Sequence, residues 1–165
     1  DVLFLTCADS RVDPSLITQT KPGDIFVCRN AGNIVPPSDS GLAADGMAAS
    51  IEFAVKALHV SDIVICGHAD CGAVKGAMAP DSVTALPYVG AWLQYAETGK
   101  THDLDAAIEA NVLAQLEHLR TYDFINEAVN AGSLVLSGCV YDIASGLVRV
   151  FDGTSFTVPT RPQPS

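Results

Sequence analysis

The chain is short of positive charge: nine Lys and Arg stand against nineteen Asp and Glu, a formal net charge of −10. Phosphate backbones and anionic lipid surfaces repel such a protein, so neither nucleic acid nor a membrane surface is an expected partner. Long apolar runs are missing too. Stretches such as Ile63-Val64-Ile65-Cys66 suit a buried strand and fall far short of the ~20 residues that span a bilayer. No signal-peptide pattern is present, and the five cysteines (Cys7, Cys28, Cys66, Cys71, Cys139) are odd in number and irregularly spaced. That argues against a disulfide framework and favours buried or metal-bound thiols in a reducing, cytoplasmic setting. An initiator Met is absent as well: the chain opens at Asp1-Val2-Leu3-Phe4-Leu5, already inside an apolar run. The expectation is the core of a longer protein, in which a preceding organelle signal or fused membrane segment would lie outside this sequence.

What is there suits one packed domain. The 165 residues are 48% hydrophobic with a mean hydropathy of +0.28, ample for a core and suggestive of apolar surface covered by a second subunit. The domain is expected over 1–158, with a Pro-rich tail over 159–165. Val2–Thr6, Ile25–Cys28 and Ile63–Cys66 read as buried strands. Leu42 to about His59 reads as a helix, with Met47, Ile51, Ala54, Val55 and Leu58 on one face. Helices are expected over Cys71–Met78, Thr84–Glu97, from an Asp103 cap to Leu119, and over Tyr122–Ala131, stopping at Gly132. Ser133–Ser137 and Val140–Ile143 read as strands, the latter turning at Ser145-Gly146 into Leu147–Phe151. Strands alternating with helices predict an α/β fold: a mainly parallel sheet flanked by helices, with an antiparallel edge strand.

Two loops carry the chemistry, Cys7-Ala8-Asp9-Ser10-Arg11 and His68-Ala69-Asp70-Cys71, each just past the C-terminal end of an expected strand. Ligand crevices of open α/β sheets form there. Thiolate and imidazole are the donors zinc prefers, and His68 and Cys71 sit three apart, close enough to serve one ion. Cys7 would be the third ligand, leaving a fourth tetrahedral position open, as in catalytic rather than structural zinc sites. One zinc per chain is expected. Two thiolates neutralise its charge, so a coordinated water should acidify less than at a three-imidazole site and activity should rise toward alkaline pH. Asp9 is able to fill the open position; Arg11, two residues on, is a bidentate partner that would hold it off and orient it. Cys28, Cys66 and Cys139 read as small buried hydrophobes, and His59, His102 and His118 as exposed or core-edge imidazoles.

At these residues the chain resembles the β-class carbonic anhydrases. The likeness lies in Cys7-Ala8-Asp9-Ser10-Arg11-Val12, Arg29-Asn30-Ala31-Gly32-Asn33 and Cys66-Gly67-His68-Ala69-Asp70-Cys71-Gly72. Weaker agreement runs through Ala49-Ser50-Ile51-Glu52-Phe53-Ala54 and Gly138-Cys139-Val140-Tyr141-Asp142. The resemblance implies zinc on Cys7, His68 and Cys71, a catalytic dyad of Asp9 with Arg11, and reversible hydration of carbon dioxide to bicarbonate in a homodimer or larger homo-oligomer. It implies apolar substrate-binding positions at Phe26 and Phe53. Family members usually carry helices ahead of the first strand, and members regulated by bicarbonate carry Trp where this chain has Phe4, although Arg29 and Tyr141 match. The alternatives are a zinc hydrolase of carbonyl sulfide or carbon disulfide on the same scaffold, or a non-catalytic bicarbonate-sensing domain attached to a transporter.

Overall fold

The computed structural model describes residues 1–41 and 46–160. Its elements follow in chain order as β1 (Val2–Cys7), α1 (Pro14–Thr18), β2 (Ile25–Asn30), α2 (Gly46–Lys56), β3 (Asp62–His68) and α3 (Gly72–Met78). A 3-10 turn (Pro80–Val83) precedes α4 (Pro87–Leu93), α5 (Leu104–Leu119), α6 (Asp123–Asn130), β4 (Val135–Tyr141), β5 (Val148–Phe151) and β6 (Phe156–Thr157). The strands form a sheet in the order β2-β1-β3-β4-β5-β6, parallel through β4 and antiparallel beyond it. The expected α/β class and antiparallel edge are both present. Among the described residues no helix is long and apolar enough to cross a membrane.

Alternation along the strands divides the core. Leu3, Leu5, Ile63 and Ile65 pack with Ile51 and Ala54 of α2, Ile108 and Val112 of α5, and Ile125 of α6. Phe4, Cys66 and Cys139 point to the other face, with half-buried Ile25, Val64, Tyr141, Val148 and Val150. Val27, on the terminal strand β2, is exposed. All five cysteines are free and buried.

Several boundaries differ from expectation. The loop expected from Cys7 to Arg11 leads into a helix that was not expected, α1: Asp13 accepts from Leu16 N–H at the cap and Pro14 opens the helix. α2 ends at Lys56, short of His59, whose φ is 54°; the expected residues 42–45 of that helix lie outside the described residues. The helix expected over Thr84–Glu97 begins at Pro87, where the missing N–H is harmless, and ends at Leu93. The two strands expected on either side of Gly138 are one, β4, running straight through it. A Cβ at Gly138 would lie 2.8 Å from Val112 Cγ1, so the glycine marks the closest approach of α5 to the sheet rather than a break. Asp103 caps α5 as expected, accepting from Ala106 N–H. β6 carried no sequence signal, and residues 161–165 of the expected tail lie outside the described residues.

Candidate metal and catalytic site

β1 and β3 are hydrogen-bonded neighbours, and Thr6 pairs with Cys66 at the C-terminal end of their ladder. Cys7, one residue beyond on β1, and His68, two beyond on β3, therefore emerge at the same end of the sheet. A short loop brings the chain back to Cys71, the cap of α3. The donor atoms of Cys7, His68 and Cys71 all lie within 4.8 Å of one another, and all three residues are buried. Sequence reasoning named these three, and the fold brings them together.

The three groups compete for protons. The Cys7 thiol is lowered to about 4, because the adjoining Cys71 thiol and His68 imidazole favour its thiolate, outweighing burial. Gly32 N–H adds a hydrogen bond to Cys7 Sγ at 3.4 Å. Cys71 is pushed far up for the converse reason: it donates to Cys7 and is buried, which the backbone N–H groups of Ala73 and Val74 only partly offset. Burial would lower the His68 imidazole, yet the neighbouring Cys7 sulfur raises it on balance. His68 Nδ1 bonds Ala69 O at 2.8 Å, while Nε2, fully buried, has no hydrogen-bond partner. Three soft donors competing for protons around one point, with an orphaned ring nitrogen among them, fit a divalent zinc ion, which would satisfy all three lone pairs at once.

Asp9 stands beside the cluster, its Oδ2 3.9 Å from His68 Nε2. Arg11 holds it through both oxygens: Nε donates to Oδ1 at 3.0 Å, Nη2 to Oδ2 at 2.8 Å, and the Arg11 backbone N–H to Oδ1 at 2.9 Å. This fork keeps the Asp9 carboxyl well below the usual range and raises the guanidinium further. The expected bidentate pair is present.

Other residues build the site without having been singled out for it. Arg29 donates to the carbonyls of Cys7, Asp9 and Val12, fixing the path of the loop after β1. Asp70 bonds Arg11 Nη1 at 2.8 Å. α5 carries a buried polar ladder. Asn111 donates to Gly32 O, and Gln115 accepts from Val35 N–H while donating to Tyr95 O. His118 Nδ1 lies 2.8 Å from Val35 O. The ladder holds the loop that presents Gly32 N–H to Cys7. Its only trace in the sequence is a polar residue every three or four positions on an otherwise apolar helix face, which reads equally well as exposed surface.

Phe26 and Phe53 are brought to each other, with ring centroids 6.1 Å apart, but not to this chain's own cluster. Phe26 pairs with Leu3 and Asn30 with Cys7, so Phe26 lies four residues down the strand from the metal end, about 13 Å at strand spacing. Phe53 is 51% exposed.

The carbonic anhydrase family matches residues 2–148. A carbonic anhydrase of Pseudomonas aeruginosa is 46% identical over 93% of this chain and 74% of its own length. One of Synechocystis sp. is 42% identical over 92% of this chain and 60% of its own. Among solved structures, the β-carbonic anhydrase CcaA superposes with a TM-score of 0.89 at 40% identity, covering 96% of this chain and 83% of that one. A tetrameric β-carbonic anhydrase of Sordaria macrospora gives a TM-score of 0.70 at 30% identity, covering 95% and 82%. In sequence and in fold alike, the chain belongs to the β-class carbonic anhydrase family.

Proposed function

We propose that the chain hydrates carbon dioxide reversibly to bicarbonate and a proton, at a zinc ion held by Cys7 Sγ, His68 Nε2 and Cys71 Sγ. The observation that carries this is a buried three-donor cluster with one carboxylate, Asp9, held beside it by a bidentate arginine rather than within it. Zinc bound there would supply Lewis acidity, acidifying a coordinated water, though less than at a three-imidazole site, so that it becomes nucleophilic toward alkaline pH. The chain's own residues do the rest. Arg11 keeps Asp9 ionised, so its Oδ2, at the open side of the cluster, would accept a hydrogen bond from a nucleophile there and orient it. Arg29 keeps the loop that carries Asp9 in place, and Gly32 N–H steadies the Cys7 sulfur. Neither the sulfur-substrate hydrolase nor the sensing domain is favoured by the comparisons.

A homodimer or larger homo-oligomer is part of the same reading. Half-exposed Phe53 and the exposed Val27 on terminal strand β2 support a covered surface there. Phe26 and Phe53 then serve the substrate side of a second copy's site rather than their own. A reducing, cytoplasmic setting is supported by five free, buried cysteines.

The test is stopped-flow carbon dioxide hydration by zinc-loaded protein, with and without a chelator, beside Asp9→Asn. Chelation should abolish activity and Asp9→Asn should reduce it at least tenfold with zinc retained. Unchanged activity in either arm would contradict the proposal.

A further inference from the structure

The geometry points to Asp70 as a positioning residue for the Asp9–Arg11 pair, an assignment that rests on the carbonic anhydrase reading above. Asp70 lies between two of the metal-binding positions, His68 and Cys71, in a left-handed backbone conformation with φ at 60°. Asp is one of the few non-glycine residues that tolerate this region. The turn sends its carboxylate back across the gap between the two strand-end loops, to Arg11.

Arg11 has a planar fork with five N–H groups. Nε and Nη2 serve Asp9. Nη1 donates to Asp70 Oδ2 at 2.8 Å, and Nη2 also reaches Asp70 O at 3.3 Å. Fixing Nη1 fixes the plane of the guanidinium, and with it the place where Asp9 is gripped. The other Asp70 oxygen is held by Lys75, on α3 one turn beyond Cys71. Charges thus alternate from Lys75 through Asp70 and Arg11 to Asp9, tying the loop after β3 to the loop after β1. An isolated exposed ion pair contributes little, but a bidentate arginine within a network is the geometry in which such pairs count. The Arg11 side chain is 44% exposed, so without Asp70 its outer nitrogen is left to water. Asp9 would then be free to turn toward the cluster, with 3.9 Å already separating its Oδ2 from His68 Nε2. Asp70 therefore acts through Arg11 to keep Asp9 beside the metal position instead of in it.

The experiment places Asp70→Ala and Asp70→Asn in the wild-type and Asp9→Asn backgrounds of the full chain. It reads kcat/KM, zinc content, thermal midpoint and the visible spectrum of the cobalt(II)-substituted protein. In the wild-type background Asp70→Ala should lower kcat/KM by about three- to tenfold, with one zinc per chain and an unchanged midpoint. In the Asp9→Asn background it should cost nothing further. The cobalt spectrum should shift in Asp70→Ala, as a carboxylate enters the coordination sphere, and should not shift when Asp9 is already Asn. An equal loss in both backgrounds, a loss that follows zinc content or midpoint, or an unaltered cobalt spectrum would overturn the assignment. A wild type that binds metal without hydrating carbon dioxide would instead contradict the activity, and the spectra would still decide whether Asp70 restrains Asp9.

Discussion

Gln115→Met is the most searching test of how the fold supports the site. The two side chains are close in length and volume, so the change removes polarity with little change in packing. Gln115 is fully buried and accepts from Val35 N–H at 2.8 Å, on a residue that is itself fully buried. It donates to Tyr95 O at 3.0 Å and to Asn111 Oδ1 at 2.9 Å. Asn111 Oδ1 keeps a second donor, Glu97 N–H, and Tyr95 is half-buried and open to some water. The main loss is the orphaned Val35 N–H, at ~1–3 kcal/mol, with up to ~1 kcal/mol more at Tyr95 O. A total of about 1–4 kcal/mol is a sizeable share of the ~5–15 kcal/mol of a typical domain. It should lower the thermal midpoint by roughly 2–16 °C. Denaturant unfolding with linear extrapolation measures it, the slope staying constant while the midpoint falls. Because the same loop offers Gly32 N–H to Cys7, zinc affinity measured by chelator competition should fall as well. A loss below about 0.5 kcal/mol, or a loss with zinc affinity untouched, would refute the claim that the ladder braces the metal loop.

Gly138→Ala should destabilise by about 1–3 kcal/mol through overpacking, since its Cβ would meet Val112 Cγ1 at 2.8 Å and Leu116 Cδ1 at 3.1 Å; Val112→Ala should restore part of that in a double-mutant cycle, and strict additivity would count against the contact. Cys28 and Cys66 are pushed up, Cys28 by burial and Cys66 by its neighbour Cys139 and then burial, so both should resist alkylation in the native protein and react only on unfolding, as peptide mass mapping would show. Asp142 is held below the usual carboxylate range by Ser145, whose backbone N–H donates to Oδ1 at 2.8 Å. Its contribution is therefore complete above the ordinary carboxylate value and disappears as pH falls through the lowered one. Asp142→Ala should weaken the protein at neutral pH and match wild type at the acid end; a gap that persisted into acid would contradict that sign.

Much of this was legible in the residues, for identifiable reasons. Short apolar runs closed by Gly, Pro or Asp gave β1, β2 and β3, and Asp103 announced α5 through its side chain. The three donors and the Asp9–Arg11 pair were legible because strand ends in an α/β sheet are where loops converge. What escaped depended on neighbours far along the chain. Gly138 read as a break because nothing local tells of Val112 and Leu116 above it. Asp70 read as a polar loop residue because its partner, Arg11, is 59 positions away. Phe26 and Phe53 were named from the resemblance alone, and their place four residues down β2 from the partner of Cys7 needed the strand register. α1 is a plainer omission, since Asp13 before Pro14 is a recognisable start of a helix.

Cys7 and His68 inherit their spacing from a ladder of main-chain bonds between adjacent parallel strands, whose last rung joins Thr6 and Cys66. Their separation is thus dictated by the pitch of the peptide backbone, which is the same whatever apolar side chains hang beneath it. Variants that thin the interior under β1 or β3 should melt earlier yet, below that temperature, still grip the ion with undiminished strength. Beneath these two strands endurance and chemistry are separable, and apolar drift there can proceed without retuning the metal, as changes in the polar ladder of α5 cannot.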